Sequence, residues 1–94
     1  MKKIERSTAF KRDYKRVKSM PRYKKNLDSL LSEIITYLVH DKVLPEKNWD
    51  HSLSNNWIGY RECHIKPDLL LIYKKPDKHT LWLARLGSHS ELFN

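Results

Sequence analysis

The feature that most constrains the fold of this chain is a run of apolar residues with a proline turn on each side. Residues 69–73 read LLLIY, a near-continuous apolar stretch typical of a strand that is buried on both faces. Residues 66–69 (KPDL) and 75–78 (KPDK) each place proline at the second position of a turn. We therefore predict a central strand that is joined to both of its neighbours by tight hairpins.

The flanking segments predict the rest of an antiparallel sheet. Residues 57–65 contain many β-forming side chains, and residues 80–86 read TLWLARL, which favours a further strand. A short stretch around Ile4 indicates an edge strand. Residues 45–56 show no periodic pattern, so we expect an irregular loop there.

Two helices are predicted before this sheet. Phe10, Tyr14 and Val17 are spaced at i, i+4 and i+7, which predicts one helix with Ser7 or Thr8 as its N-cap. Pro21 ends that helix because it disfavours the helical conformation of the preceding residue. A second helix is predicted over about residues 24–40 from a stripe of six aliphatic side chains, namely Leu27, Leu30, Leu31, Ile34, Ile35 and Leu38.

These elements define the expected architecture. The two helices form an αα-hairpin whose apolar faces need a partner surface, and the small antiparallel sheet supplies one. The expected fold class is α+β, with one domain over residues 1–94, since 94 residues are too few for two independent cores. Trp49, Trp57 and Trp82 are expected to pack in the core or to pin loops and not to serve as base-stacking platforms.

The positive charge of the chain is concentrated near its start. The net charge is +8, yet residues 1–25 alone carry +9, from eleven Lys and Arg against two acidic residues. A regional charge of this kind is typical of a surface that binds a polyanion, most often nucleic acid. A solvated helix face, or one that docks an acidic protein, is the alternative. The candidate RNA-binding residues on the first helix are Lys11, Arg12, Lys15, Arg16 and Lys18.

Other patterns favour a cytoplasmic protein without membrane contact. No apolar run approaches the ~20 residues that cross a bilayer. The opening residues MKKIER are not followed by the apolar segment of a secretion signal. The single cysteine, Cys63, cannot form an intramolecular disulfide, which fits a reducing compartment.

Ionisable side chains collect at the ends of the predicted strands. His64 is near a strand end and Asp68 is in the following turn, so the two are expected at one edge of the sheet. His51 lies in the loop before the sheet and His89 follows the last strand, and the sequence does not fix whether they join the pair. Arg85 is on the last predicted strand.

This set of side chains has the chemistry needed to cleave RNA. Attack by the 2′-hydroxyl requires a base, departure of the 5′-oxygen requires an acid, and the phosphorane requires fixed positive charge. Histidine exchanges protons near neutrality, so two imidazoles, a carboxylate and an arginine suffice without a metal. Surface or structural roles for these residues are the alternative. A zinc site that includes Cys63 and His64 is disfavoured because adjacent residues of a strand point to opposite faces.

Four blocks of the sequence resemble a known family. DHSL (residues 50–53), WIGYRECH (57–64), KPDLLLIY (66–73) and ARLGSHSELF (84–93) are similar, in order and spacing, to the YafQ branch of the RelE/ParE toxin superfamily. The resemblance covers about the second half of the chain, and the basic N-terminal helices agree with the family in kind. It implies a RelE-like fold, in which two N-terminal helices pack against a small antiparallel sheet.

The resemblance implies a function in a bacterial type II toxin–antitoxin pair. Members of this branch are ribosome-dependent mRNA endonucleases that cut messages in the ribosomal A site, and no cofactor or metal is implied. The expected partners are a cognate antitoxin similar to DinJ and the ribosome with its RNA and message. The toxin–antitoxin complex is expected to bind its own operator DNA through the antitoxin.

The resemblance also assigns site residues, which are His51, His64, Asp68, Arg85, His89 and Phe93. It implies that His89 is the general acid, that Asp68 or His51 is the base, and that His64 orients the scissile phosphate. Arg85 would neutralise the phosphorane and Phe93 would stack on a base. One position departs from the family, since Leu69 stands where a relative carries tryptophan, and codon preference is expected to differ there.

Two other functions compete with this one. A ParE-like toxin that acts on DNA gyrase would keep the fold without the nuclease chemistry, but it has no need of three histidines and an aspartate at one edge. A non-catalytic RNA-binding module would need only the basic helices, and its histidines could be replaced freely.

Overall fold

The computed structural model describes residues 1–93, which form a five-stranded sheet and four helices. The strands are β1 (Lys3–Arg6), β2 (His51–Ser52), β3 (Arg61–Lys66), β4 (Leu69–Asp77) and β5 (Thr80–Gly87). Their order in the sheet is β1-β5-β4-β3-β2. The pairs β2–β3, β3–β4 and β4–β5 are antiparallel, whereas β1 pairs parallel with β5. The predicted α+β class is confirmed.

The apolar run at residues 69–73 forms the first half of the central strand, and every one of its side chains is buried. The first hairpin turn is confirmed, because Lys66 pairs with Leu69 across it. The second turn lies two residues later than predicted, since Pro76 is inside β4 and the turn joins Asp77 to Thr80. Pairing with β3 ends at Tyr73, so a proline beyond that point removes no hydrogen bond to β3.

The four helices are α1 (Thr8–Lys18), α2 (Pro21–Lys24), α3 (Leu27–Val39) and α4 (His89–Phe93). Ser7 caps α1 as predicted, and its hydroxyl accepts a hydrogen bond from the Phe10 N–H at 2.8 Å. The helix predicted over about residues 24–40 is α3, and the short helix α2 that precedes it was not predicted. Pro21 occupies the first turn of α2, where a missing N–H is tolerated, and α3 begins only at Leu27.

Two other segments differ from their predictions. The segment expected to be an irregular loop contains two short 3-10 turns, Glu46–Asn48 and Asn55–Trp57, with β2 between them. The strand expected over residues 57–65 begins at Arg61 instead. The short pairing of β2 with β3 places His51 opposite Glu62, which becomes important for the site.

The sheet buries apolar side chains on both faces. Helices α1 and α3 supply much of the main core, together with Leu71, Leu83 and Leu86 from the sheet. A smaller cluster forms on the other face around Leu70 and Ile72. It is completed by Ala84 of β5, by Leu92 of α4 and by partly buried side chains, among them Leu53, Trp57 and Trp82. Within residues 1–93, no helix is long and apolar enough to cross a membrane.

Candidate active site

An open cleft lies beside the smaller cluster, and five of the six positions assigned by resemblance line it. These five are His51, His64, Asp68, His89 and Phe93, and the same cleft is lined by Trp49, Leu53, Glu62, Pro67, Leu70, Ser88 and Ser90. The convergence of His51 and His89 on the strand edge, which the sequence left open, is therefore present in the structure.

The register of the sheet explains this convergence. His64 of β3 is opposite Leu70 of β4, which is opposite Gly87 of β5. The three residues form a row across the sheet. His51 reaches one end of the row from β2, and His89 reaches the other end as the first residue of α4.

A buried carboxylate lies between two of the histidines. Glu62 is 5% exposed, and its Oε1 is 3.5 Å from Nε2 of His64 and 3.9 Å from Nε2 of His51. The Nδ1 atoms face carbonyl oxygens, at 2.9 Å from Trp49 for His51 and at 3.3 Å from Pro67 for His64. Each ring nitrogen therefore faces a protein oxygen, which fixes the orientation of both rings.

A polar network holds the loop that carries His51. The Tyr73 hydroxyl donates to Oδ1 of Asp50 at 2.7 Å, and Nε of Arg61 donates to the same oxygen at 3.2 Å. Burial first, and then the hydrogen bond to Asp50, raise the pKa of Tyr73, so the hydroxyl keeps its proton. The side-chain amide of Asn48 also donates to the His64 carbonyl at 2.8 Å. The loop is thereby fixed to β3 and β4.

Asp68 occupies the turn between β3 and β4, as predicted, and its side chain is about half exposed. Its Oδ2 lies 3.2 Å from Nη1 of Arg22, which extends from α2. Burial, followed by a hydrogen bond with Asp68, raises the pKa of Tyr23. The carboxylate thus has a cationic and a phenolic neighbour, both supplied by α2.

His89 is exposed at the start of α4 and is supported by aromatic side chains. Its ring centroid lies 5.0 Å from that of Phe93. Phe93 in turn meets Trp57 edge-on at 6.4 Å, and Trp57 meets Tyr60 edge-on at 5.1 Å. Edge-to-face contacts at these distances are favourable. They connect the imidazole of His89 to the smaller apolar cluster.

Arg85 is the one assigned residue that does not line the cleft. Its Nε donates to Oδ2 of Asp13 at 2.6 Å, and its Nη2 donates to Oδ1 at 3.2 Å. Asp13 also accepts from the Leu86 N–H and from Arg16. Burial alone would raise the pKa of Asp13, but the hydrogen bonds from Arg85, Leu86 and Arg16 outweigh it and lower that pKa. The guanidinium of Arg85 is therefore committed to a buried carboxylate.

The five basic residues assigned to RNA binding fall into two groups. Lys11, Arg12 and Lys15 are exposed, and within residues 1–93 none of the three forms an ion pair. Arg16 pairs with Asp13, and Lys18 pairs with Asp28 at 2.6 Å. Only the first three present uncommitted positive charge on α1.

Three residues of the cleft region were missed by the sequence argument. Glu62 could have been found, because it is two residues from His64 on a strand and so shares its face. Arg22 gave no local signal, since it meets Asp68 only through the tertiary fold. For Trp49, the expectation of a place in the core is wrong, because the residue is 66% exposed.

The cysteine and the histidine of the disfavoured zinc site do not share a face of the sheet. Cys63 is fully buried in the main core, on the face of β3 opposite to His64. In the part of the chain that the structure describes, no three His, Cys, Asp or Glu side chains are arranged to hold a metal ion.

Comparison with known proteins agrees with this fold. Residues 2–94 match the family described as the bacterial toxin of type II toxin–antitoxin system, YafQ. The chain is 38% identical over 91 residues to the mRNA interferase toxin YafQ of Escherichia coli (strain B / BL21-DE3), and the match covers 96% of this chain and 94% of the relative.

Solved structures give the same result. A copper-bound mutant toxin from Helicobacter pylori superposes with a TM-score of 0.86 at 39% identity, and the superposition covers 99% of this chain and 100% of that one. The E. coli DinJ–YafQ complex contains a chain that superposes with a TM-score of 0.82 at 35% identity over 100% of both chains.

These matches define the class of protein first. The chain is a bacterial toxin of a type II toxin–antitoxin system. Within that class, it belongs to the YafQ family.

Proposed function

We propose that this toxin is an mRNA endonuclease that cleaves messages on translating ribosomes in the cytoplasm. Its relatives in E. coli are named mRNA interferases. The single observation in the structure that supports this activity most strongly is the cleft itself, in which three histidines and Asp68 meet beside a second carboxylate, Glu62. A ParE-like toxin or a passive RNA-binding module has no use for that arrangement.

The proposed reaction is an internal transfer of the phosphoryl group. The 2′-hydroxyl loses its proton to a base and its oxygen bonds to phosphorus, while the bond from phosphorus to the 5′-oxygen breaks. An acid donates a proton to that oxygen. The products are a 2′,3′-cyclic phosphate and a 5′-hydroxyl, with no water consumed and no redox change.

Asp68 is the better candidate for the base. A base needs an acceptor atom that is open to the hydroxyl, and both nitrogens of His51 are turned toward protein oxygens, at 2.9 Å from the Trp49 carbonyl and at 3.9 Å from Oε1 of Glu62. Asp68 is an exposed carboxylate at the rim of the cleft. His51 then orients the phosphate together with His64, and Glu62 lies between the two rings.

His89 is proposed as the general acid. It stands at the β5 end of the row formed by His64, Leu70 and Gly87, whereas Asp68, the proposed base, lies in the turn that joins β3 to β4. Its exposure leaves the ring nitrogens open to a leaving group, and Phe93 supports the ring from one side. An acid and a base that reach the phosphate from different elements can serve its in-line displacement.

Two arginines are proposed to supply the positive charge that the phosphorane requires. Arg22 lies against Asp68 with its side chain 69% exposed, and can turn toward a phosphate that enters the cleft. The proposed role of Arg85 in neutralising the phosphorane requires its guanidinium to act from outside the cleft lining, where it also binds Asp13. Lys11, Arg12 and Lys15 would contact ribosomal RNA phosphates at a distance from the reacting bond.

The proposed partner that restrains this activity is a DinJ-like antitoxin. The comparison supports it because the chain that superposes in the E. coli complex is bound to DinJ. The toxin–antitoxin complex would bind operator DNA through the antitoxin.

The proposal is tested by mapping message 5′ ends after the toxin is added to a translating extract and to the same message without ribosomes. We expect in-phase cuts only with ribosomes, and loss of cutting in His89→Ala. A message with sulfur in place of one 5′-bridging oxygen separates the roles, because a thiolate leaves without an acid.

Cleavage at the sulfur position should be restored in His89→Ala and not in Asp68→Asn. Cutting of the natural message by His89→Ala at the wild-type rate would show that His89 is not the acid. Absence of cutting by the wild-type protein would contradict the proposed function as a whole.

A further inference from the structure

Trp49 is placed in a way that folding stability does not explain. Its side chain is 66% exposed, so the ring gains little from burial. Its backbone has φ 41 and ψ 57, the left-handed conformation that bulky residues rarely adopt. Glycine or asparagine would occupy this position at lower cost. Strained residues of this kind are concentrated at functional sites.

The ring of Trp49 lies against the histidines of the cleft. Its centroid is 5.4 Å from that of His51 and 5.3 Å from that of His64, with the planes tilted by 43° and 30°. The carbonyl of Trp49 also faces Nδ1 of His51 at 2.9 Å. The backbone therefore helps to hold His51, while the indole forms part of the wall of the cleft.

Trp49 and Phe93 both line this cleft and contact different histidines in it. Trp49 contacts the histidines of β2 and β3, whereas Phe93 belongs to α4, which follows β5. The row of His64, Leu70 and Gly87 spans β3, β4 and β5. Adjacent strands are about 4.8 Å apart, so this row extends about 10 Å across the sheet. The scissile phosphate would lie over the row, within reach of both aromatic side chains.

We propose that Trp49 is a base-stacking residue that contacts a nucleobase next to the scissile bond and thereby helps to set the sequence preference of cleavage. Single-stranded RNA exposes the flat faces of its bases, and aromatic side chains bind them by stacking. Leu69, by contrast, is buried in the main core, so it offers no surface to the message. This inference rests on the proposed function.

The test compares Trp49→Ala, Trp49→Phe and Trp49→Asn with the wild-type protein, on ribosomes carrying messages that differ only in the bases flanking the cut. Ile58→Ala is the matched control, because Ile58 is also strongly exposed, at 77%, but does not line the cleft. Single-turnover cleavage rates at several toxin concentrations separate binding from chemistry. Thermal unfolding of each variant is measured in parallel.

We expect Trp49→Ala to raise the toxin concentration needed for half-saturation at least tenfold and to reduce the preference for one flanking base. Trp49→Phe should retain most of the affinity and most of the preference. Trp49→Asn should lose the same activity without a lower melting temperature, which separates stacking from folding. The control should cleave as the wild-type protein does.

The proposal is overturned if wild-type protein cleaves and Trp49→Ala cleaves with the same rate and base preference. It is also overturned if Trp49→Phe is as defective as Trp49→Ala, or if the substitutions weaken only the binding of a DinJ-like antitoxin. Failure of the wild-type protein to cleave any message contradicts the proposed function, and this inference with it.

Discussion

Arg16 of α1 and Glu91 of α4 form an ion pair, with Nε of Arg16 3.3 Å from Oε2 of Glu91. The geometry at this nitrogen is not that of a hydrogen bond, so the attraction is coulombic. Oε1 of Glu91 accepts from the Ser88 N–H at 2.8 Å. The Ser88 hydrogen bond lowers the pKa of Glu91; burial opposes that effect, and the charge of Arg16 adds to it. One carboxylate thereby ties the helix that carries His89 to α1 and to the end of β5.

Glu91→Gln should therefore reduce cleavage by loosening His89. The amide keeps the shape of the side chain but loses its charge, so the attraction to Arg16 disappears. We expect the first-order cleavage rate to fall about tenfold, equivalent to ~1.4 kcal/mol of transition-state stabilisation, with little change in half-saturation. Single-turnover kinetics of message cleavage measure both quantities.

Glu33→Gln is the control, because it removes an exposed glutamate from α3. It should leave the cleavage rate unchanged. If Glu91→Gln changes only half-saturation, then Glu91 contributes to RNA binding and does not position His89.

Gly87 is required by a close approach of side chains and not by its backbone angle. A Cβ at this position would lie 2.9 Å from Oε1 of Glu91, 3.0 Å from Nη2 of Arg16 and 3.3 Å from Cδ2 of Leu92. Gly87→Ala should displace these side chains, which costs about 1 kcal/mol of folding free energy, and should reduce cleavage at least tenfold. Chemical denaturation and message cleavage provide the two measurements.

Gly59→Ala is the matched comparison. Gly59 has φ +91 but open space around its Cβ position, so alanine there strains the backbone without any steric contact, at a cost of about 1 kcal/mol. It should lower stability by a similar amount and leave cleavage intact. Equal losses of cleavage in the two variants would mean that general destabilisation explains both.

Asp13 should make the stability of the protein depend on acidic pH. Its pKa is lowered in the folded state, so the stabilisation it contributes is complete above the unfolded value of about 3.9. That stabilisation is lost as pH falls through the lower folded value. Unfolding free energies measured by denaturant titration should therefore decrease between about pH 5 and pH 2.

Asp13→Asn should remove much of this pH dependence and cost about 2 kcal/mol at neutral pH, below the ~3–5 kcal/mol of a fully broken buried pair. The cost is smaller because Arg16 and Arg85 are partly exposed and can recruit water. Asp28→Asn, which breaks an exposed pair with Lys18, should have a smaller effect. An unchanged acid profile in Asp13→Asn would assign the pH dependence to other carboxylates.

Sequence patterns correctly predicted the elements that depend on interactions between residues close together in the chain. The N-cap at Ser7 and the apolar run of β4 follow from hydrogen bonding and burial over a few residues. The opposite orientation of Cys63 and His64 follows from strand geometry. The turn at Asp68 was also predictable, since proline and aspartate favour it.

Contacts between distant residues were not predictable from such patterns. Ile4 pairs with Leu81 in a parallel strand, and Arg85 binds Asp13 across 72 positions of sequence. Each contact depends on the completed packing of α1 against β5. For the same reason the residues of the cleft could be nominated by resemblance, but the position of Arg85 outside its lining could not.

The exposed basic residues of α1 should control the salt dependence of ribosome binding. Lys11, Arg12 and Lys15 form no ion pair within residues 1–93, so each is free to neutralise a phosphate. Replacing all three with glutamine should reduce the slope of log affinity against log salt by roughly two, at ~0.7–0.9 per phosphate contact. Binding of the catalytically inactive His89→Ala protein to ribosomes over a range of salt measures this slope.

Lys18→Gln in the same background is the control, because Lys18 is already paired with Asp28. The hydrogen bond to Asp28 favours the charged form of Lys18 and outweighs the opposing effect of burial, so the pKa of Lys18 is raised. The slope should then change by much less than it does in the triple substitution. A slope that is unaltered by the triple substitution would show that ribosomal RNA does not contact this face of α1, and that the N-terminal charge serves another partner.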